Sequence, residues 1–368
     1  MLPDPTRRFP ATQIQGSPAG EARDATLRTA GALVAAGFAT SARIGALEAI
    51  ANRYAIAVTP AIAALIDRND PHDPIAAQFI PSEEEFLTTP DELADPIGDA
   101  AHSPVKGIVH RYPDRALLKP LHACPVYCRF CFRREQVGPG GDALNDAELA
   151  SALDYIRANP AIWEVILTGG DPLMLSPRRL GFILDALEAI PHVATLRIHS
   201  RVPIADPARV SDALLSVLTR RKPLWLAIHA NHPRELSADV GELCLRLARA
   251  GIMLLGQTVL LRGVNADAAV LEALFRAMIA ARIKPYYLHH PDLAAGTSRF
   301  RLSIAEGQAI VKALRFRLSG LAHPTYVLDI PGGAGKVPVS PSWLERDGVR
   351  DPSGRLHEYP ARMQDWGD

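Results

Sequence analysis

From Arg115 onward, short apolar runs of strand character alternate with amphipathic segments, a texture that confines the chain to the parallel α/β folds. The runs are Ala116 to Lys119, Glu164 to Thr168, Ala194 to His199, Leu224 to His229, Ile252 to Leu260 and Pro285 to His289. From the second onward they start about 30 residues apart, the span of one strand with its return helix. Helix starts lie between them. Ser176 precedes Pro177, Asp206 precedes Pro207, Ser237 opens a helix closed by Gly251, and Ser303 with Glu306 makes a capping box. Six strand-helix units fit between Arg115 and Gly320, with a further strand at Thr325 to Leu328. Six is too few to close an eight-fold barrel, so the expected fold is α/β, an incomplete (β/α)6 TIM-like barrel rather than a flat doubly wound sheet. Ahead of it, Asp24 caps an Ala-rich run and Ala46 to Tyr54 is helical, broken by turn punctuation at Asn69 to Pro74, Pro81 and Pro90. The expected division is a helical N-terminal region (1–105), the partial barrel (106–320) and a C-terminal extension (321–368).

Charge narrows the partners. The 40 basic residues balance 40 acidic ones, so no global field draws in nucleic acid or an anionic membrane. No apolar run approaches the roughly 20 residues that span a bilayer, and Met1 to Gly16 carry no signal pattern. A cytoplasmic protein acting on a small molecule is the expectation. Four cysteines are too few to staple 368 residues, and three of them, Cys124, Cys128 and Cys131, share one short stretch. The fourth, Cys244, falls on the apolar side of a helix and reads as a small core residue.

Parallel α/β folds place chemistry at the carboxyl ends of their strands. The three cysteines follow the first strand, Gly169-Gly170-Asp171-Pro172 the second, and His199-Ser200-Arg201 the third. His229, Asn231 and His232 follow the fourth, Gln257 lies along the fifth, and His289, His290 and Asp292 follow the sixth. Asp329 and a glycine loop reaching Lys336 come last. Three thiolates from one loop serve a tetrahedral zinc site poorly, because such a site wants four closed ligands and His122 is too near in sequence to complete one. An iron-sulfur cubane with three protein ligands and one open iron suits a triplet better. The Cys-x3-Cys-x2-Cys spacing, with Phe130 before the third cysteine, resembles the signature of the radical S-adenosylmethionine superfamily. The Gly-Gly-acid-Pro turn resembles the one that meets the methionine amino group there. That likeness implies a 4Fe-4S cluster on Cys124, Cys128 and Cys131, S-adenosyl-L-methionine, and an external electron donor, and it places Gly169, Gly170, Asp171, Pro172, Ser200, Arg201 and His229 at the cofactor.

Only six of the 40 basic residues are lysines, and one ends the stretch Asp329-Ile-Pro-Gly-Gly-Ala-Gly-Lys336. An amine forms a Schiff base and a guanidinium does not. The loop is not a nucleotide-binding P-loop, since Val337-Pro338 stand where Ser or Thr and a helix should follow. Chemistry alone leaves Lys336 open between a reactive amine and a solvated lysine on a turn. Taken together, Cys124 to Arg134, Gly169 to Pro172, Asn231-His232-Pro233, Gln257 to Arg262, Pro285-Tyr286-Tyr287 and Pro331 to Pro338 resemble the lysine 2,3-aminomutase family, from about Ala51 to Ser340.

That resemblance implies pyridoxal 5′-phosphate, with its aldehyde held by Lys336 and with Arg115 and Gln257 as further contacts. It puts Arg133 on the carboxylate of a free amino acid, L-lysine, and Asp292 and Asp329 on the distant ammonium. An adenosyl radical removes hydrogen from Cβ, and the amino group migrates to give β-lysine without net redox. A homo-oligomer is expected. The tail after Lys336 lacks the cysteines that bind a structural zinc in well-known members, so no zinc is expected. Ala334 replaces a family glycine and preserves the turn only where no positive φ is needed. Three alternatives stay open: an aminomutase serving modification of translation elongation factor P, a 2,3-aminomutase for another amino acid such as glutamate or arginine, and a non-catalytic iron-sulfur redox or sensor protein.

Overall fold

The computed structural model describes residues 25–138, 143–346 and 348–359. Nine strands form one sheet in sequence order: β1 (Ile108–Tyr112), β2 (Arg115–Leu121), β3 (Glu164–Gly169), β4 (Thr195–Ser200), β5 (Leu224–His229), β6 (Met253–Val259), β7 (Lys284–His289), β8 (Thr325–Ile330) and β9 (Gly335–Pro338). β2 to β8 run parallel, while β1 and β9 pair antiparallel at the two ends. The six expected strands and the further one at Thr325 are all present. Between them lie the helices Asp146–Ala158, Pro177–Glu188, Asp212–Leu218, Ala238–Arg249, Ala268–Ala280 and Ile304–Leu314. This is the expected six-unit partial barrel with one extra parallel strand.

The two ends of the sheet approach without a backbone ladder. The Tyr112 hydroxyl of β1 accepts a 2.7 Å hydrogen bond from the backbone N–H of Lys336 on β9, and Arg111 stands 3.7 Å from Asp329 at the end of β8. Side chains therefore lace a seam that amides leave open. Because β8 and β9 continue the same sheet, the lysine strand is part of the barrel wall and not of a separate terminal unit. Beyond it, Leu344–Glu345, Gly348–Arg350 and Leu356–His357 form a small second sheet.

Local chemistry explains most boundaries. Ser176, Ser237 and Ser303 accept from backbone N–H groups three residues on, and Glu306 closes the capping box. Asp206 does not start a helix. Pro207–Arg209 is a single 3-10 turn whose N-cap side chain makes no cap bond, and the helix begins at Asp212 with Ser211 as its cap. At Val210 the backbone leaves the helical region (φ −77°, ψ 69°), which separates the turn from the helix. The N-terminal region holds the helices Ala30–Ala35, Ile44–Ala51, Pro60–Leu65 and Pro74–Phe79, while the expected cap Asp24 lies outside the described residues. Cys244 is fully buried on its helix, as the sequence indicated. Among the described residues no helix is long and apolar enough to cross a membrane.

Candidate functional site

The carboxyl ends of β2 to β8 open into one cavity of about 720 Å³. Cys124, Cys128 and Cys131 line it, as do Gly169, Gly170, Asp171, Ser200, Arg201, His229, Gln257, Arg115, Arg133, Asp292, Asp329 and Lys336. Of the residues assigned to cofactors or substrate from the sequence, Pro172 alone does not line it, being buried as the first residue of a 3-10 turn; the rim residues His232 and His290 do not line it either.

The loop after β2 carries the thiols, and the turn after β3 backs that loop. Gly170 N–H donates to the Leu121 carbonyl at 2.7 Å and Asp171 N–H to that of Ala123 at 2.9 Å. A Cβ on Gly170 would stand 2.4 Å from the Ala123 oxygen, so no side chain fits there. The Asp171 carboxylate accepts from Ser200 Oγ and from the backbone N–H groups of Leu173, Arg201 and Val202, tying the ends of β3 and β4 together. Burial raises the Cys124 thiol well above its ordinary value, pushes Cys128 up to about 11 and raises Cys131. Arg133, Arg134, Arg129 and Arg201 pull the other way, and this cationic surround suits thiolates once a metal cluster removes their protons. Among the described residues no three His, Cys, Asp or Glu side chains converge on one point as a single ion requires. All three thiols line the cavity, and one thiolate per iron is what a multi-iron cluster would take from them.

Arg133 is held by Asp99, whose Oδ2 accepts from its Nε at 3.1 Å and its Nη2 at 2.9 Å. Arg111 and Lys119 each stand 3.5 Å from the same buried carboxylate, so one acid anchors three cations and leaves net positive charge on that side. Arg201 is fixed by Gln78 and Glu235, both 3.0 Å from its Nη2. Arg115 stacks over the Tyr112 ring at 3.7 Å and pairs with Asp114.

Lys336 lies on β9, and its ammonium donates to Asp329. His289 Nδ1 is 3.3 Å from the same nitrogen, and His289 Nε2 is 2.9 Å from Gln257. Burial alone would raise Asp329, but His289 and the Lys336 ammonium hold it well below the carboxylate range. For Asp292, burial and then the neighbouring Asp329 outweigh the pull of Lys336, Arg133 and Arg111 and push it up to about 7. The glycine loop turns over the N-terminal region, where Gly332 meets Gly98 and Gly333 meets His102, both loop glycines at positive φ. Ala334 sits at φ −68°, an ordinary helical value, so its extra methyl group costs no strain.

Several site residues escaped sequence reasoning. Glu85 is fully buried between Arg129 and Arg134 of the cysteine loop, yet in sequence it is only the last of three consecutive glutamates. Asp99 and Arg111 likewise carry no local signal. His289 does carry one, since it ends a parallel strand. The cavity also holds buried polar atoms without protein partners, namely His199 Nε2, His229 Nε2, Gln257 Oε1 and Arg201 Nε, as a ligand-binding chamber should.

Comparison with known proteins agrees with this geometry. Residues 118–268 match the radical SAM superfamily model, and residues 311–350 match a model described as lysine-2,3-aminomutase. The L-lysine 2,3-aminomutase of Clostridium subterminale is 41% identical over 289 residues, covering 78% of this chain and 70% of that protein. The L-lysine 2,3-aminomutase of Escherichia coli is 37% identical over 78% of this chain and 83% of its own. The glutamate 2,3-aminomutase of Clostridioides difficile is 36% identical over 82% and 72%. A chain that matches both models, and is 41% identical to such a relative over 289 residues spanning most of both proteins, belongs to the lysine 2,3-aminomutase family of radical S-adenosylmethionine enzymes.

Proposed function

We propose that this protein interconverts L-lysine and β-lysine. The observation that carries the reading is that the cysteine loop and Lys336 line a single cavity, with cations and carboxylates facing the space they share. In this reading Cys124, Cys128 and Cys131 hold a 4Fe-4S cluster and Gly169, Gly170, Asp171, Ser200, Arg201 and His229 shape the seat of S-adenosylmethionine. Lys336, Arg115 and Gln257 hold pyridoxal 5′-phosphate. When bound, these groups supply hydrogen-atom abstraction and an aldehyde able to carry a migrating amino group.

The residues of the chain supply orientation. Arg133, pinned by Asp99, presents a fixed guanidinium to the substrate carboxylate, and a preset fork loses little freedom on binding. Asp292 and Asp329 line the same cavity and offer negative charge to a cationic tail. Anchoring both ends fixes Cβ, and that positioning is the protein's share of the rate enhancement. A glutamate tail would add a third carboxylate beside these two acids, which favours lysine over glutamate. An external one-electron donor, a cytoplasmic setting and assembly into a homo-oligomer complete the proposal.

The test is direct. Protein reconstituted anaerobically with iron and sulfide is incubated with S-adenosylmethionine, pyridoxal 5′-phosphate, a reductant and lysine, glutamate or arginine in parallel. β-Lysine from lysine alone is the expected product; full iron and coenzyme content with no β-lysine rejects the assignment.

A further inference from the structure

Lys336 must lose a proton before its nitrogen can act as a nucleophile, and two groups touch that nitrogen: Asp329 and His289 Nδ1 at 3.3 Å. The second group has no assigned task. Its two ring nitrogens face different groups, Nδ1 the Lys336 nitrogen and Nε2 the Gln257 amide. Gln257 Nε2 faces His289 Nε2 at 2.9 Å, while Gln257 Oε1 is buried without a partner. Turning the Gln257 amide over satisfies that orphan oxygen, which then accepts from a protonated Nε2. Nδ1 is left with its lone pair directed at the Lys336 ammonium.

We propose that His289 is the proton acceptor for Lys336 during capture and release of the coenzyme aldehyde, a role that rests on Lys336 being the coenzyme lysine. One N–H bond at Nζ breaks and one at Nδ1 forms. The electron pair stays on Nζ as an uncharged amine, and the positive charge passes to an imidazolium that faces Asp329, 3.7 Å away. The reverse transfer restores the ammonium on release. Asp329 serves both states as the fixed counter-ion.

Charge coupling supports the direction. His289 faces Lys336 from β9, Asp329 from β8, Tyr287 from its own strand and, across the barrel, His229 and His199. Burial and then the Lys336 charge hold the imidazole down to about 4. As the proton leaves Nζ that second opposition vanishes while Asp329 stays, so the proton affinity of Nδ1 rises as the transfer proceeds.

The experiment uses the full-length reconstituted protein, without substrate. Pyridoxal 5′-phosphate is added and the imine absorbance is followed by stopped flow from pH 6 to pH 10. Borohydride reduction and peptide mapping then locate the modified lysine. For His289→Ala, capture at pH 7 slows on the order of 10²-fold. The rate then climbs with pH toward the wild-type rate as it nears the ordinary lysine value of about 10.4, and added imidazole restores part of it. His289→Asn, which keeps an acceptor but cannot carry the proton, shows the same profile with iron content unchanged. Capture by His289→Asn as fast as wild type, or slowing that neither pH nor imidazole relieves, overturns the proposal alone. Undiminished imine formation in Lys336→Ala, with the reduced adduct mapped to another lysine, overturns the reading of Lys336 and the proposal with it.

Discussion

At the scale of single residues, uneven protonation makes the cavity selective. Asp292 titrates near 7 because burial and Asp329 oppose its charge. Its value is raised, so the carboxyl is neutral below that pH and charged above it. An ammonium-tailed substrate binds the charged form. The KM for lysine should therefore climb as pH falls through 7, with proton release on binding at pH 6 that fades by pH 8.5, measurable by calorimetry in two buffers. Asp292→Asn should flatten that profile and lower kcat/KM by roughly 10- to 100-fold, the scale of one hydrogen bond to a charged group. Glu85 poses a stability problem instead. Its carboxylate lies between Arg129 and Arg134 with no water to replace it. Glu85→Gln should cost about 3 to 5 kcal/mol, the usual consequence of stranding a buried charge, read as a lower denaturant midpoint with reduced iron retention.

At the scale of elements, glycines separate what may change from what may not. Gly170→Ala drives a methyl group into the Ala123 carbonyl and displaces the cysteine loop, so reconstituted iron should fall well below the wild-type level. Gly241, in the helix Ala238–Arg249, has nothing within 4 Å of its absent Cβ. Gly241→Ala should leave iron unchanged and stabilise by about 0.5 to 1 kcal/mol, since glycine is a poor helix former. The same scale shows what the sequence could and could not convey. The parallel strands were legible because burial on both faces makes them continuous apolar runs. β1 carries His110 and Arg111 and β9 ends on Pro338, so neither reads as a strand; each exists because an edge needs only one partner. Three serine caps were legible from local chemistry, whereas Asp206 was not, because a proline after an acid marks a tight turn as readily as a helix.

At the scale of the whole molecule, the rim of chemistry followed from strand order, so the cysteines, Lys336 and the two aspartates were legible as one site. The residues that hold them were not. Glu85 and Asp99 reach the arginines of the cysteine loop from the N-terminal region, across dozens of positions in sequence, and only the docking of that region onto the barrel selects them. Arg301 shows the same docking from the other side, pairing with Glu92 while Leu93 N–H donates to Leu293 at 2.7 Å beside Asp292. Tyr112→Phe removes the 2.7 Å bond between the ends of the sheet. It should cost about 1 kcal/mol and speed amide hydrogen exchange at residues 335–337 while that of β4 and β5 is unaffected.

That laced seam has a practical meaning. A fully zipped cylinder would have to unfold part of itself to admit a bulky guest, whereas a wall fastened by one phenol and one guanidinium opens like a laced tent flap. In the proposed reading the coenzyme lysine, Lys336, lies on that same strand, so the part of the wall that would admit cargo is also the part that would hold on to it.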